Sequence, residues 1–177
     1  MATHSNSSSR SKTSQMILWI TVNAITAALL VASKEALSWL TNVEVVSILV
    51  ICFSVVFGWK VLPSIYIFVL AELLLYSPHL WTLMYLYVWT VLAIVAILLR
   101  KFKNPFLWCF VCGFFGFAFG FFCAIPYFFI GGWTAGVSYW LAGLSFDVPH
   151  GIFNFVTGFL FVPLTTVLRK CKRKMRI

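Results

Sequence analysis

The charged residues of this chain stand at the ends of about six apolar stretches and almost never inside them, a pattern that bilayer crossings impose. If both termini face the cytoplasm, twelve of the thirteen Lys and Arg residues fall on that side: Arg10, Lys12, Lys60, Arg100, Lys101, Lys103, Arg169, Lys170, Lys172, Arg173, Lys174 and Arg176. The exception is Lys34, beside Glu35. All four acids, Glu35, Glu44, Glu72 and Asp147, then lie in the opposite half. Basic loops stay cytoplasmic during insertion, so the asymmetry orients the chain. It predicts an all-α integral membrane bundle of six transmembrane helices with both termini cytoplasmic. The outer half becomes the one region where acid, His and Asn meet.

Composition excludes other classes. A chain that is 62% hydrophobic and 10% charged exposes too much apolar surface for a soluble domain. The net charge of +9 forms no stripe along a polar face, so it reads as an orientation signal with added attraction to anionic membrane lipid, not as a nucleic-acid surface. Of five cysteines, Cys52, Cys109, Cys112 and Cys123 lie in apolar stretches and Cys171 in the basic tail. The CxxC spacing of Cys109 and Cys112 lacks a second pair or a nearby His, so small buried side chains are expected there and no metal.

The spans follow from the pattern. Residues 1–15 are Ser-rich and predict a disordered cytoplasmic tail. A six-helix transmembrane domain would cover residues 16–168, and 169–177 a basic cytoplasmic tail. Its helices are expected at Met16–Leu40, Val43–Phe57, Val61–Tyr76, Leu80–Leu99, Pro105–Ile130 and Phe146–Leu168. The second is short for a bilayer core of roughly 30 Å, which suggests shielding by its neighbours. Ser77-Pro78-His79 reads as an outer turn, and Gly131–Ser145 as an outer segment, partly helical. Several catalytic signatures are missing: no GxxxxGK[ST], HExxH or GxSxG motif occurs. The chain therefore does not hydrolyse ATP through a phosphate loop of its own, and it is read as a non-enzyme.

Three constellations remain. Ala24, Ala28 and Ala32, four apart, lay small side chains along one face of the first helix. By spacing alone, a partner helix or packing inside the bundle accounts for them equally. Gly113, Gly116 and Gly120 form a similar strip in helix five, read as packing within the bundle. At the start of the last helix, Asp147, His150 and Asn154 share a face at i, i+3 and i+7. Asp147 would orient the His150 ring, with Asn154 deeper. Capping explains Asp147 and Pro149 but not His150 and Asn154, so those two are read as facing a ligand. The third constellation is aromatic: Trp81, Tyr85 and Trp89 descend helix four as one stripe, Glu72 lies near the outer end of helix three, and Trp133, Tyr139 and Trp140 crowd the outer segment. A belt accounts for some of these rings, but a stripe beside a carboxylate fits an aromatic-walled small-molecule pocket.

Six short helices, the small-residue strip and the run Gly143-Leu144-Ser145-Phe146-Asp147-Val148-Pro149-His150-Gly151-Ile152-Phe153-Asn154-Phe155, leading to Pro163-Leu164, resemble the substrate-binding S components of energy-coupling factor (ECF) vitamin transporters. Asn42-Val43-Glu44-Val45-Val46-Ser47 and Phe57-Gly58-Trp59-Lys60 belong to the same resemblance, which spans nearly all of the chain after residue 16. Within that family the chain is most similar to the cobalamin-specific group from Gram-positive bacteria. S components for queuosine precursors are the alternative. The resemblance implies a plasma-membrane subunit that captures a vitamin outside and docks on a shared module. That module consists of a transmembrane coupling protein and two ATPases, so ATP is used by the partners and this chain binds no cofactor. It also implies that Ala24, Ala28 and Ala32 face the coupling protein, and that the S component topples to deliver its cargo. Beyond this family, a small channel or proton-coupled carrier, a lipid-modifying enzyme with His150 and Asp147 as its acid–base pair, and a pure assembly protein are the other readings.

Overall fold

Residues 11–77 and 80–177 are described in the computed structural model, Trp81 by its backbone alone. Residues 1–10 of the expected N-terminal tail, Pro78 and His79 of the outer turn, and the Trp81 side chain lie outside the described residues.

Helix α1 spans Lys12–Ala36. It starts earlier than Met16 because the Ser11 hydroxyl accepts the Ser14 N–H at 3.2 Å, a capping bond that satisfies one open helix-start donor. The chain then turns through residues 37–45, where Asn42 takes φ 64°, a left-handed conformation that asparagine tolerates. Helix α2 spans Val46–Phe57, and the Glu44 carboxylate accepts the Ser47 N–H at 2.8 Å in its first turn. Gly58, at φ 65°, opens a 3-10 turn, Gly58–Val61, that leads into α3, Leu62–Tyr76. Helix α4 spans Leu80–Leu99, as the apolar run predicts.

Helix α5 spans Pro105–Thr157 and departs most from expectation. The Asn104 side chain caps it by accepting the Phe106 N–H at 3.0 Å. Its 53 residues would extend about 80 Å if straight. Gly132, at φ 73° and ψ −171°, breaks the axis, and the two limbs fold back on each other. Three glycines allow the contact. A Cβ on Gly113 would stand 2.9 Å from Phe155 Cβ, one on Gly116 would stand 2.8 Å from Gly151 Cα, and one on Gly120 would collide with the Asp147 carboxylate. As numbers rise on one limb they fall on the other, so the hairpin is antiparallel and the glycine strip packs inside the bundle, as expected. Residues 133–145 are helical throughout, a correction to the partly helical outer segment. Asp147 consequently sits well inside a helix, and end-capping does not explain it.

The last limb ends in a 3-10 turn, Gly158–Leu160, and α6 follows over Phe161–Met175, so the basic tail is helical as far as Met175. Gly158 lies against the Cys109 backbone, and Phe161 stacks on Trp108 at 4.6 Å between ring centroids.

Every α2 residue except Leu49 is buried. The short helix lies at the centre, packed by α1, α4, α5 and α6, which accounts for its length. Helices α1 and α3 are joined by polar contacts: Ser64 donates to Asn23 Oδ1 and accepts from Thr26 Oγ1 at 2.7 Å. Pro126 carries no N–H for the Phe122 carbonyl, and Tyr87 Oη donates to that carbonyl at 2.7 Å. Large apolar side chains such as Ile20, Leu29, Phe110, Phe114 and Leu98 face outward. Four continuous helical stretches, Lys12–Leu37, Val46–Tyr76, Thr82–Leu99 and Pro105–Met175, are long and apolar enough to cross a membrane. Among the described residues there is no strand, and the fold is all helical.

Charge is sorted in space as in sequence. At one end, Lys172 donates to the Val56 carbonyl at 2.7 Å, Lys60 lies over the Trp19 ring at 4.5 Å, and Arg100 approaches Gly58. At the other, Lys34 pairs with Glu72 and with Glu35, and Tyr76 Oη donates to Glu35 at 2.6 Å.

Candidate ligand site

A cavity of about 550 Å³ opens at the acidic end. Its walls come from Thr41, Asn42, Val43 and Glu44 of the turn before α2, from Val46 at the start of α2, from α4, and from both limbs of α5 on either side of the kink. Lys34 at the end of α1 completes the rim.

Three rings make the apolar wall. Tyr85 and Trp89 lie 5.6 Å apart, Trp89 and Phe119 5.9 Å, and Tyr85 and Phe119 6.4 Å between centroids, all tilted or edge-on. Such geometry matches the ring quadrupoles and fixes the patch. Phe68 and Phe115 brace it from behind. The wall exists because α4 carries Tyr85 and Trp89 one turn apart, facing the limb that carries Phe115 and Phe119 four apart.

Polar groups are few and specific. His150 Nε2 lies 3.4 Å from Glu44 Oε1, and the Phe119 ring meets the imidazole edge-on at 5.2 Å. Burial pushes the Glu44 carboxyl up, but the His150 hydrogen bond and charge, together with the Ser47 contacts, outweigh it and hold the group below its ordinary value. Asp147 Oδ1 accepts the Gly120 N–H at 3.0 Å, and its Oδ2 is buried with no hydrogen-bond partner among the described residues. The Trp89 indole N–H is in the same condition. Cys123 completes the wall as a small apolar side chain.

Of the residues expected at a binding site, the fold brings Tyr85, Trp89, Tyr139, Asp147 and His150 to this cavity. Four stand apart. Glu72 is 1% exposed and pairs with Lys34 behind the rim. Asn154 is fully buried one level deeper, where its amide donates to Ser47 Oγ at 3.2 Å, so it ties α5 to α2 and does not face the ligand space. Trp133 is 78% exposed just past the kink, against Phe128. The Trp81 side chain lies outside the described residues. The expected Asp147–His150 pair is replaced by two others: His150 with Glu44, and Asp147 with the Gly120 backbone. The acid–base pair of the lipid-enzyme reading is therefore not assembled from those two side chains.

Sequence reasoning missed Glu44, Lys34 and Phe119. Their signal was weak: an acid immediately before an apolar helix, the one misplaced cation, and one Phe among nineteen. Ala24, Ala28 and Ala32 all face outward, whereas Ala27 between them is 2% exposed and packs in the core. Among the described residues no three His, Cys, Asp or Glu side chains gather as a metal site would need. Cys109 and Cys112 are both buried. No family model, curated protein or solved structure matches the chain.

Proposed function

We propose that this chain is the substrate-capturing membrane subunit of an ECF-type importer, binding a small ring-bearing micronutrient from outside and delivering it on an ATP-driven module. The observation that carries this reading is the cavity at the acidic end, with aromatic walls and a few polar groups, while Phe53, Phe68 and Trp108 are buried in the core outside its lining. A channel needs polar groups along a path; a capture subunit needs a closed cup.

In this reading the chain crosses six times. The second and fourth apolar stretches each double back, at Gly58 and Gly132, so the start of α1 and the end of α6 both lie at the basic, cytoplasmic end. The outward strip of Ala24, Ala28 and Ala32 supplies a flat face for the coupling protein, and the ATPases are separate chains.

Cavity size favours the smaller of the two substrate expectations. About 550 Å³ lies within the roughly 300–1,000 Å³ of sites for drug-sized ligands. A queuosine precursor, one fused ring system, fits inside. Cobalamin, with a corrin ring and a nucleotide arm, would project well beyond it. The experiment is co-purification of this chain with a coupling protein and both ATPases, for the native sequence and for Ala28→Leu. The reading expects a four-chain complex that the leucine disrupts while ligand binding by the isolated chain persists. Failure of the native chain to assemble would refute it.

A further inference from the structure

A second hollow, a groove of about 440 Å³, follows the seam between α4 and the first limb of α5. Val91 and Val95 of α4 form one side, and Phe110, Phe114 and Phe122 of α5 the other. The space exists because short branched side chains, four apart on α4, face long ones spaced at helical turns on α5. Its lining is apolar throughout, unlike that of the ligand cavity. Phe110 and Phe114 stand 64% and 73% exposed along it, so the groove opens to the outside of the bundle.

Its dimensions fit a chain better than a helix. From Phe110 to Phe122 an α-helix rises about 18 Å, close to one leaflet of a hydrocarbon core roughly 30 Å thick. A partner helix of that length and about 10 Å across fills about 1,400 Å³, roughly three times the space of the groove. Less than two turns before Phe110 lies the 100–104 loop that joins α4 to α5. Arg100 is turned toward Gly58, but Lys101 and Lys103 are exposed and form no ion pair among the described residues. Every acid of the chain belongs to the other end, so counter-charge for these lysines has to come from outside the protein.

We propose that the groove holds one anionic glycerophospholipid of the cytoplasmic leaflet, with an acyl chain along the seam of α4 and α5 and the phosphate at Lys101 and Lys103. This rests on the chain spanning the membrane with its basic end inward, and it is independent of the cargo. Lipid tails meet every outward face of a membrane protein. Here a concave seat for one tail ends at a loop whose charge lies at headgroup depth. Lysine pairs with phosphate as a point charge, and a net negative headgroup gains most from it. A zwitterionic headgroup carries its own cation beside the phosphate and gains less.

The test is native mass spectrometry of the full chain released from nanodiscs of equimolar dioleoyl-phosphatidylglycerol and dioleoyl-phosphatidylcholine. One phosphatidylglycerol is expected to stay bound, favoured over phosphatidylcholine by on the order of tenfold, as two lysines at an anionic headgroup supply. Lys101→Gln/Lys103→Gln should lose that preference. Val95→Trp fills the groove from a half-buried position and should lose the lipid of either kind. Lys170→Gln/Lys174→Gln removes the same charge from exposed positions of α6 and should leave the preference intact. That pair separates a site from the general attraction of a basic surface. No retained lipid in the native chain, equal retention of the two lipids, or the same loss of preference in the tail and loop variants would overturn the proposal. So would a dimer free of lipid, which would assign the groove to a second copy of the chain.

Discussion

Asp147 Oδ1 accepts the backbone N–H of Gly120 at 3.0 Å, and through that bond a side chain on one limb of α5 grips the main chain of the other at the level of the cavity. The bond needs Gly120, because any Cβ there would occupy the carboxylate's position. One close approach thus closes the hairpin and fixes the carboxylate against Gly120.

The hairpin should be sensitive to single methyl groups in a position-dependent way. In Gly116→Ala the new Cβ would meet Gly151 Cα at 2.8 Å and the His150 carbonyl at 2.9 Å, both backbone atoms that cannot swing aside. A loss of about 1–3 kcal/mol is expected in unfolding titrations in mixed micelles. Gly143→Ala meets nothing closer than 4.0 Å and should leave stability level or slightly raised, since alanine is the better helix former.

Two neighbouring alanines on α1 should part company. Ala27 is in the core and Ala28 faces outward. Ala27→Leu should lower stability by about 1–3 kcal/mol through overpacking, whereas Ala28→Leu should melt like the native chain. Equal melting of the two variants would contradict the placement of the strip.

The Lys34–Glu72 pair predicts non-additive losses. Glu72 is almost completely buried, so Lys34→Met strands a charge or forces its protonation and should cost about 3–5 kcal/mol. The double variant Lys34→Met/Glu72→Met should recover much of that loss. A double-mutant cycle in denaturant reads the coupling.

Glu44 predicts the acid limb of the stability profile. Its folded carboxyl titrates below the ordinary value of 4.5. The stability it contributes is therefore fully present above about pH 4.5 and is lost as pH falls through the lower, folded value. Glu44→Gln should flatten melting temperature against pH in that window and leave the neutral region nearly parallel to the native curve. An unaltered acid limb would show that the contacts with His150 and Ser47 carry no such linkage.

Much of the fold was legible in the sequence because apolar runs and their charged ends obey bilayer lengths. Helix α4 begins and ends where the pattern placed it, and Pro105 marked the start of α5, whose Asn104 cap went unread. The N-terminal start was misjudged because Ser11 caps a polar first turn that has no apolar periodicity. The hairpin limb at 133–145 was hidden by Gly131-Gly132, which signals a turn but not that helix resumes at once. At the site, residues on one helix face were grouped correctly up to the point where a partner from elsewhere decided the outcome. Spacing put Asp147, His150 and Asn154 together, but Gly120, Glu44 and Ser47, each from a different segment, drew them to three separate tasks. Helical periodicity carries no information about contacts 106 residues apart, such as that of Glu44 with His150.

The central claim is tested most directly by accumulation in proteoliposomes that hold this chain, a coupling protein and both ATPases, with ATP supplied at the ATPase side. Labelled queuosine precursor and labelled cobalamin would be offered in parallel, to the native chain and to Asp147→Asn. The account predicts uptake of the queuosine precursor that requires both ATP and this chain and is lost in Asp147→Asn. Uptake that proceeds without ATP or without this chain, or an assembled and ATP-hydrolysing complex that accumulates neither compound, would contradict it.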